Sequence, residues 1–537
     1  MCAAKDEPQE EGGNQLARVA TQSTETTWLQ NNRCIFICFL VSVSSFQYGL
    51  DLSIINAQQA IVGFLKVFGY RAPSLATGWG IDTWFQQTIS SMMNVGVITG
   101  SILLQPTAQH LGRRRSFWVA SLVCVVGNTI LITTTNAGAF IFGRLVFGTS
   151  NGLFTGLGII YISEAAPSHL RGSLISFAQL SACIGSVVGT CVNNATKLMD
   201  SRLSYQIPLF CLYSVPLLFF VLPFFIPESP RWLVLQNRPG DARTHLQRLR
   251  GPDFPPTVID AELQAIQDAI AVEQQLAVGK RKAVQMAWSV RERTRTLLTC
   301  ACLTFHAASG FPFLAAYSTY FFQIAGSTDA FVDSIMVSSI SVFGALVGVF
   351  LNRWVGRRPM NLVAFGSQAV LMLIIGVVWS VIPGTQTAGK IVVGLCVVFQ
   401  CGYSAFCGPV AFICAGEIPS NQLRAMTYGM GSAIGFIFAF VISLTTPYFI
   451  NPTALNIGPK VGYIWFASNA ITFVFVLFFL PETSRRSLED LDEMFYNKVP
   501  LRKFGQEYRS HGLGLEQHEK TDTVVEMVET VNSTTRE

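Results

Sequence analysis

Gly112-Arg113-Arg114-Arg115 lies between two long apolar stretches and returns about half a chain later as Gly356-Arg357-Arg358. Two other signatures return at nearly the same offset. Glu164, with Arg171 seven positions on, reappears as Glu417 with Arg424, and Pro227-Glu228-Ser229 reappears as Pro481-Glu482-Thr483. Every copy borders an apolar segment long enough to cross a membrane, so the chain reads as a duplicated membrane unit. Parallel halves of six spans, with a site between them near the midplane, solve alternating access with one repeated fold.

Composition agrees. Half of the residues are hydrophobic and 13% are charged, against roughly 25% in soluble domains, so lipid must cover much of the surface. Runs of about 18 to 25 apolar residues, enough for a helix to cross roughly 30 Å of hydrocarbon, fall near Cys34–Ile54, Trp84–Leu104, Phe117–Thr135, Ala139–Ile162, Leu174–Asn194 and Ile207–Ile226. The second half gives Leu297–Phe322, Phe331–Leu351, Leu362–Ile382, Ile391–Ala415, Met426–Thr446 and Val461–Leu480. Segments of this length exceed a barrel strand, and a helix satisfies its own backbone in lipid. The expected fold is therefore an all-α membrane protein of twelve transmembrane helices. It divides into an N-terminal tail (1–32), a first six-helix half (33–226), a helical loop (227–293), a second six-helix half (294–482) and a C-terminal tail (483–537).

Cations set the orientation. Arg113, Arg114 and Arg115 follow the second span, Arg357 and Arg358 follow the eighth, and the connection from Pro227 to Arg293 carries ten Lys or Arg. These loops, and with them both termini, are expected in the cytoplasm of a plasma-membrane protein. Within the long connection, Asp241–Leu249 and the helical spacing of Leu263, Ile266 and Ile270 predict a small helical bundle. The outermost segments, Met1–Leu29 and roughly Gly505–Glu537, are low in apolar content and are expected to be disordered. The 13 cysteines fall mostly inside apolar spans without metal-like spacing, so they read as packing residues. No run of basic and aromatic residues suggests a nucleic-acid partner, and no nucleophile, base or metal set suggests an enzyme. A monomer in lipid without cofactor or metal is expected.

These residues resemble the sugar porters of the major facilitator superfamily over roughly residues 34–496. Phe46-Gln47-Tyr48-Gly49-Leu50-Asp51 is similar to that family's first-span motif and Gly143-Arg144 with Gly148 to its fourth-span motif. Pro227-Glu228-Ser229-Pro230-Arg231 is close to another of its signatures. The stretch from Gly63 to Trp84 looks most like fungal members, including disaccharide carriers. The resemblance implies the major facilitator fold and transport of a sugar or related polyhydroxylated molecule, with proton symport. It also implies a charged cytoplasmic gate of Arg114, Glu164, Arg171, Glu228, Arg358, Glu417, Arg424 and Glu482. The family's acidic residue three positions before Gly-Arg-Arg is replaced by Gln109 and Arg353.

Asp51 is the sharpest single feature. A carboxylate inside a span costs about 2.5 to 3.5 kcal/mol on insertion scales, which makes it a functional residue by default. Arg144 is its expected partner. Contact between them favours the carboxylate and separation in low dielectric favours the acid, so the pair can exchange a proton as the protein changes shape. At the substrate site, Gln179 matches the family's sugar-binding Gln. His306, Ala307 and Pro312 stand where the family has two Gln and an Asn, and Phe412 stands where it has a stacking Trp. Ser309 and Ser341 complete the expected ligand set of Gln179, His306, Ser309, Ser341 and Phe412. Such a cavity is less polar than a hexose site. It leaves open a carrier or exporter of a less polar metabolite or cyclic hydroxy acid, and a non-transporting nutrient sensor.

Overall fold

The computed structural model describes residues 31–505, except 74–77, 168–169, 200, 253, 276–279, 291, 421–422, 452–453, 485 and 487. The tails expected to be disordered and the side chain of Arg353 lie outside the described residues. Among those residues, 11 helices are long and apolar enough to cross a membrane. One of them, Thr83–Thr133, has 51 residues; a straight helix of that length would run about 77 Å, more than twice the hydrocarbon thickness. The helix instead reverses at Gly112, whose φ of 82° and ψ of 171° are not helical. Gly96 and Gly127, about equally far on either side, press on one stretch of the next helix. A Cβ on Gly96 would meet the Leu145 carbonyl oxygen at 2.4 Å, and one on Gly127 would meet the Phe147 nitrogen at 2.7 Å. Gly112 thus separates the second and third spans, and the fold is the twelve-helix major facilitator fold.

The first span is Asn32–Gln58, the second and third share Thr83–Thr133, and the fourth, fifth and sixth are Ala137–Ala165, Arg171–Thr196 and Leu203–Phe224. The second half runs Arg293–Ile324, Ala330–Trp354, Arg357–Val381, Gln386–Glu417, Arg424–Ile450 and Gly462–Phe479. Two spans that read as continuous are interrupted. The seventh breaks between Ala307 and Phe311, where Gly310 takes a φ of 93°. The carbonyls freed by the break accept from the twelfth span, Ala308 O from Ser468 Oγ at 2.6 Å and Ser309 O from Asn469 Nδ2 at 2.9 Å. The tenth contains a π turn over Tyr403–Cys407, a feature that re-aims side chains and is common at functional sites.

Small residues bring the helices of each half into backbone contact, as expected where lipid supplies no hydrophobic drive between helices. A Cβ on Gly49 of the first span would lie 1.8 Å from Ala182 O of the fifth, and one on Gly185 2.3 Å from Phe46 O. The connection between the halves forms helices Pro230–Leu235, Pro239–Arg250, Pro256–Gln275 and Lys280–Ala287, around a core of Leu233, Ala242, Leu246, Ile259 and Leu263. This linker touches both halves: Arg250 donates to Ala165 O at 3.0 Å, and Ala287 packs on Leu423. The segment from 483 is not wholly a free tail. Leu488–Tyr496 is helical, and Asp492 in it pairs with Arg295 while Phe495 lies 4.6 Å from the same guanidinium.

Candidate functional site

The membrane face carrying the linker is called the linker face here, and the opposite one the far face. Asp51 and Arg144 meet inside the first half. Arg144 Nη1 donates to Asp51 Oδ1 at 2.6 Å, and Asn151 Nδ2, two turns further along the fourth span, donates to Asp51 Oδ2 at 3.2 Å. Arg144 also reaches Ile89 O at 3.4 Å. The two side chains are 0% and 1% exposed, so the charges neutralise each other in a dry interior. Asn151 was not singled out by the sequence reading, although it lies seven residues after Arg144 and hence on the same helix face.

The second cluster spans both halves. Tyr403, on the π turn, bonds His306 Nε2 through its hydroxyl at 2.5 Å and lies parallel to Phe311, with ring centroids 4.0 Å apart at 7°. Phe412 stands edge-on to His306 at 4.9 Å. Tyr48 and Cys183 of the first half lie within electrostatic reach of Tyr403. Gln179, one turn from Cys183, has a long contact to its sulfur at 3.9 Å. His306 and Phe412 thus meet in one cluster, with Tyr403 and Phe311 added by the structure, and Gln179 lies one turn from Cys183 on the fifth span. Ser309 and Ser341 do not serve it. Ser309 Oγ donates to His306 O at 2.9 Å and accepts from Phe311 N at 3.2 Å, which uses it to cap the helix after the break. Ser341 Oγ back-bonds to Ser338 O at 2.8 Å and to Val337 O at 3.1 Å.

On the far side of this site the halves are joined. Asn56 Nδ2 donates to Ser318 Oγ at 2.6 Å, Asn94 Nδ2 to Ser443 Oγ at 3.1 Å, and Asn451 Nδ2 to Ile81 O at 3.3 Å. Lys197 at the end of the fifth span pairs with Asp329 at 2.5 Å and lies 5.4 Å from the Phe331 ring. Asp329 also caps the eighth span by accepting from Phe331 N and Val332 N. Burial works against the Asp329 carboxylate, but Lys197 and these N–H groups outweigh it and hold its pKa below the ordinary value. The far face is closed in this conformation.

At the linker face the charged signatures form one knot in each half. Glu164 takes a bidentate pair from Arg113, at 2.5 and 2.8 Å, not from Arg114 or Arg171. Glu228 accepts from the backbone N–H of Arg113, Arg114 and Ser229. The Arg114 side chain instead binds Pro223 O at 2.6 Å. The second half repeats this, with Arg357 on Glu417 at 3.1 Å, the N–H groups of Arg357 and Arg358 on Glu482, and the Arg358 side chain on Leu477 O. The expected roles of Arg114 and Arg358 as ion partners are therefore corrected to Arg113 and Arg357. The first arginine meets the glutamate in both halves although Gly112 has a φ of 82° and Gly356 one of −66°. Arg171 is exposed, with the Arg231 cation within electrostatic reach. These pairs tie helices within a half and do not bridge the two halves. Thr483 Oγ1 adds a bond to Glu417 at 2.5 Å.

The linker reaches the first knot through His245, whose Nδ1 accepts from Glu228 N at 3.0 Å. Burial, with the Arg248 and Arg114 cations beside it, pushes the His245 pKa below its ordinary value. Burial pushes the Glu228 carboxyl upward, against the N–H groups of Ser229, Arg114 and Arg113.

Comparison with known proteins places this architecture. The family described as sugar (and other) transporter matches residues 37–495. A maltose permease of Saccharomyces cerevisiae is 29% identical over 472 residues, covering 87% of this chain and 76% of that protein. A major facilitator-type transporter of Aspergillus rugulosus is 27% identical over 477 residues, covering 86% and 87%. Among solved structures, the proton:xylose symporter XylE superposes with a TM-score of 0.69 at 21% identity, over 87% of this chain and 100% of that one. The fold, the repeated charge knots and the family match together make this chain a member of the sugar (and other) transporter family, the sugar porters of the major facilitator superfamily.

Proposed function

We propose that this multi-pass membrane protein imports a sugar or related polyhydroxylated molecule by proton symport, with its linker face and both termini in the cytoplasm of a plasma-membrane location. The observation that carries the coupling is the Asp51–Arg144 pair, enclosed at 0% and 1% exposure in the half that also supplies Gln179. Removing the guanidinium from the carboxylate in low dielectric favours protonation, and restoring it releases the proton. One proton moving down about 100 mV and one pH unit supplies about 3.7 kcal/mol, roughly a 500-fold accumulation. The charge knots keep each half rigid while the halves rock about the central site. Orientation rests on the arginines at Gly112 and Gly356 and on the cationic linker. The named relatives carry maltose in one case, and the superposed structure is of a xylose symporter; substrates of this class are the first to test.

The test is uptake in a yeast host lacking its own sugar carriers, supplied with hexoses, pentoses, maltose and polyols, with and without a proton uncoupler. The parent accumulates its substrate and the uncoupler abolishes the gradient. Asp51→Asn keeps downhill exchange and loses accumulation. Full uncoupler-sensitive accumulation by Asp51→Asn removes this carboxylate as the proton carrier.

A further inference from the structure

The central site is poor in hydrogen-bonding groups and rich in ring surface. Ser309 and Ser341 are consumed by local backbone. Of the remaining expected polar ligands, Gln179 makes a long contact to the Cys183 sulfur at 3.9 Å, and His306 has one ring nitrogen held by Tyr403. With the hydroxyl of Tyr403 on Nε2, Nδ1 is the atom His306 can offer to a ligand. Opposite these stand the parallel pair Phe311 and Tyr403 and the ring of Phe412, which is 41% exposed although it contacts His306. Phe412 lies in the tenth span five residues before Glu417, on the open, linker side of the seal. An exposed ring there is presented to the cavity.

Charge narrows the choice further. Among the described spans, Asp51 and Arg144 neutralise each other. The other Asp, Glu, Lys and Arg of the spans sit within about two turns of span ends, as Glu164, Asp333, Lys390 and Glu417 do. A carboxylate or phosphate entering the centre would meet no cation to replace its hydration, and an unpaired ion in low dielectric is strongly disfavoured. A hexose is uncharged, but it carries no flat apolar ring to set against the aromatic surfaces of Phe311, Tyr403 and Phe412.

We infer that, within the transport reading above, the preferred substrate is an uncharged glycoside, or a similarly built molecule, that lays a flat apolar ring on Phe412 and Phe311 and presents a hydroxylated edge to His306 Nδ1 and the Gln179 amide. Stacking of the ring supplies what the missing amides do not. The full-length protein in lipid nanodiscs is titrated with phenyl β-glucoside, methyl β-glucoside, glucose and quinate, following intrinsic tryptophan fluorescence. Phenyl glucoside is expected to bind at least tenfold more tightly than methyl glucoside or glucose, a difference of about 1.4 kcal/mol, with quinate weakest. Phe412→Ala should reduce the phenyl-to-methyl ratio below about threefold, while Phe412→Trp preserves it. Equal binding of the two glucosides, tighter binding of glucose or quinate, or a ratio untouched by Phe412→Ala overturns the inference, as does absence of binding by every probe. The uptake assay separates the two levels: a protein that accumulates glucose with no phenyl preference loses only this inference, whereas one that moves no sugar or glycoside loses the transport reading as well.

Discussion

Neutralising Lys197 should open the far face. Lys197 and Asp329 join the fifth and eighth spans across the two halves, at 2.5 Å, with side-chain exposures of 19% and 41%. A pair this wet gives about 0.2 to 1 kcal/mol, and the ammonium over Phe331 adds about 0.5 to 1 kcal/mol. Lys197→Met removes both and keeps the apolar stem. Asp329→Asn removes the charge but keeps the cap on the eighth span, because Asn caps as well as Asp; Asp329→Ala removes both and should cost about 0.5 to 2 kcal/mol more. Lys197→Met should therefore move the equilibrium from far-closed to far-open by about 0.7 to 2 kcal/mol, roughly 3- to 30-fold, and Asp329→Asn by about 0.2 to 1 kcal/mol, roughly 1.4- to 5-fold. The assay is the rate at which a membrane-impermeant maleimide labels Ala316→Cys from the far side, on a Cys191→Ser background because Cys191 is exposed. Ala316 sits under the seal, where its carbonyl accepts from Gln59. The double variant Lys197→Met/Asp329→Asn should label no faster than Lys197→Met alone, since that variant already removes the ion pair that Asp329→Asn breaks. Additive acceleration, or unchanged labelling in both singles, would refute the latch.

Arg144→Ala leaves Asp51 buried without its cation, and breaking a buried pair this way costs about 3 to 5 kcal/mol; the variant should fail to elute as a monodisperse peak in detergent, and Asp51→Asn/Arg144→Gln should recover it. A well-behaved Arg144→Ala protein would contradict the pairing. Gly112→Ala puts a Cβ 2.7 Å from Glu228 Oε2, and a non-glycine residue at its φ of 82° and ψ of 171° costs about 1 to 3 kcal/mol; its thermal unfolding midpoint should fall below that of Gly172→Ala, whose added Cβ meets open space. For His245, the folded state holds its proton less tightly than the unfolded chain, so stability rises with pH up to the ordinary value of 6.5 and is lost as pH falls below it. His245→Gln should flatten the unfolding midpoint between about pH 5 and 7, and an unchanged slope would show that another group is responsible.

Much of this was legible before any coordinates. The repeated Gly-Arg-Arg signatures located both halves, and the apolar runs located the spans, because hydrocarbon thickness fixes helix length regardless of detail. The Asp51–Arg144 contact was legible for a similar reason: two opposite charges inside apolar spans have few other ways to be satisfied. Rotation about a helix axis was not legible. Adjacent residues point about 100° apart, so which of Arg113 and Arg114 meets Glu164 depends on a helix rotation that composition does not reveal. Ser309 and Ser341 looked like ligands because a hydroxyl carries no mark of whether it will bond its own backbone, as short polar side chains readily do. Tyr403 escaped notice because the π turn that aims it at His306 leaves no periodic signal in the sequence.

The contact of Gly49 with Ala182 has a wider meaning for energy transfer. Asp51 lies two residues beyond Gly49, and Gln179 three before Ala182, so the carboxylate and the amide to which the proposed symport assigns proton and substrate are mounted on two helices whose backbones already touch. Interiors packed this tightly respond as solids, so under that proposal work done by a proton on the first span would be delivered to the substrate side without being absorbed as internal strain. The ratio of protons to substrate is then a property of how the parts are bolted together, and replacing Gly49 with a bulkier residue would act as slippage in a gear train, letting protons cross without their passenger.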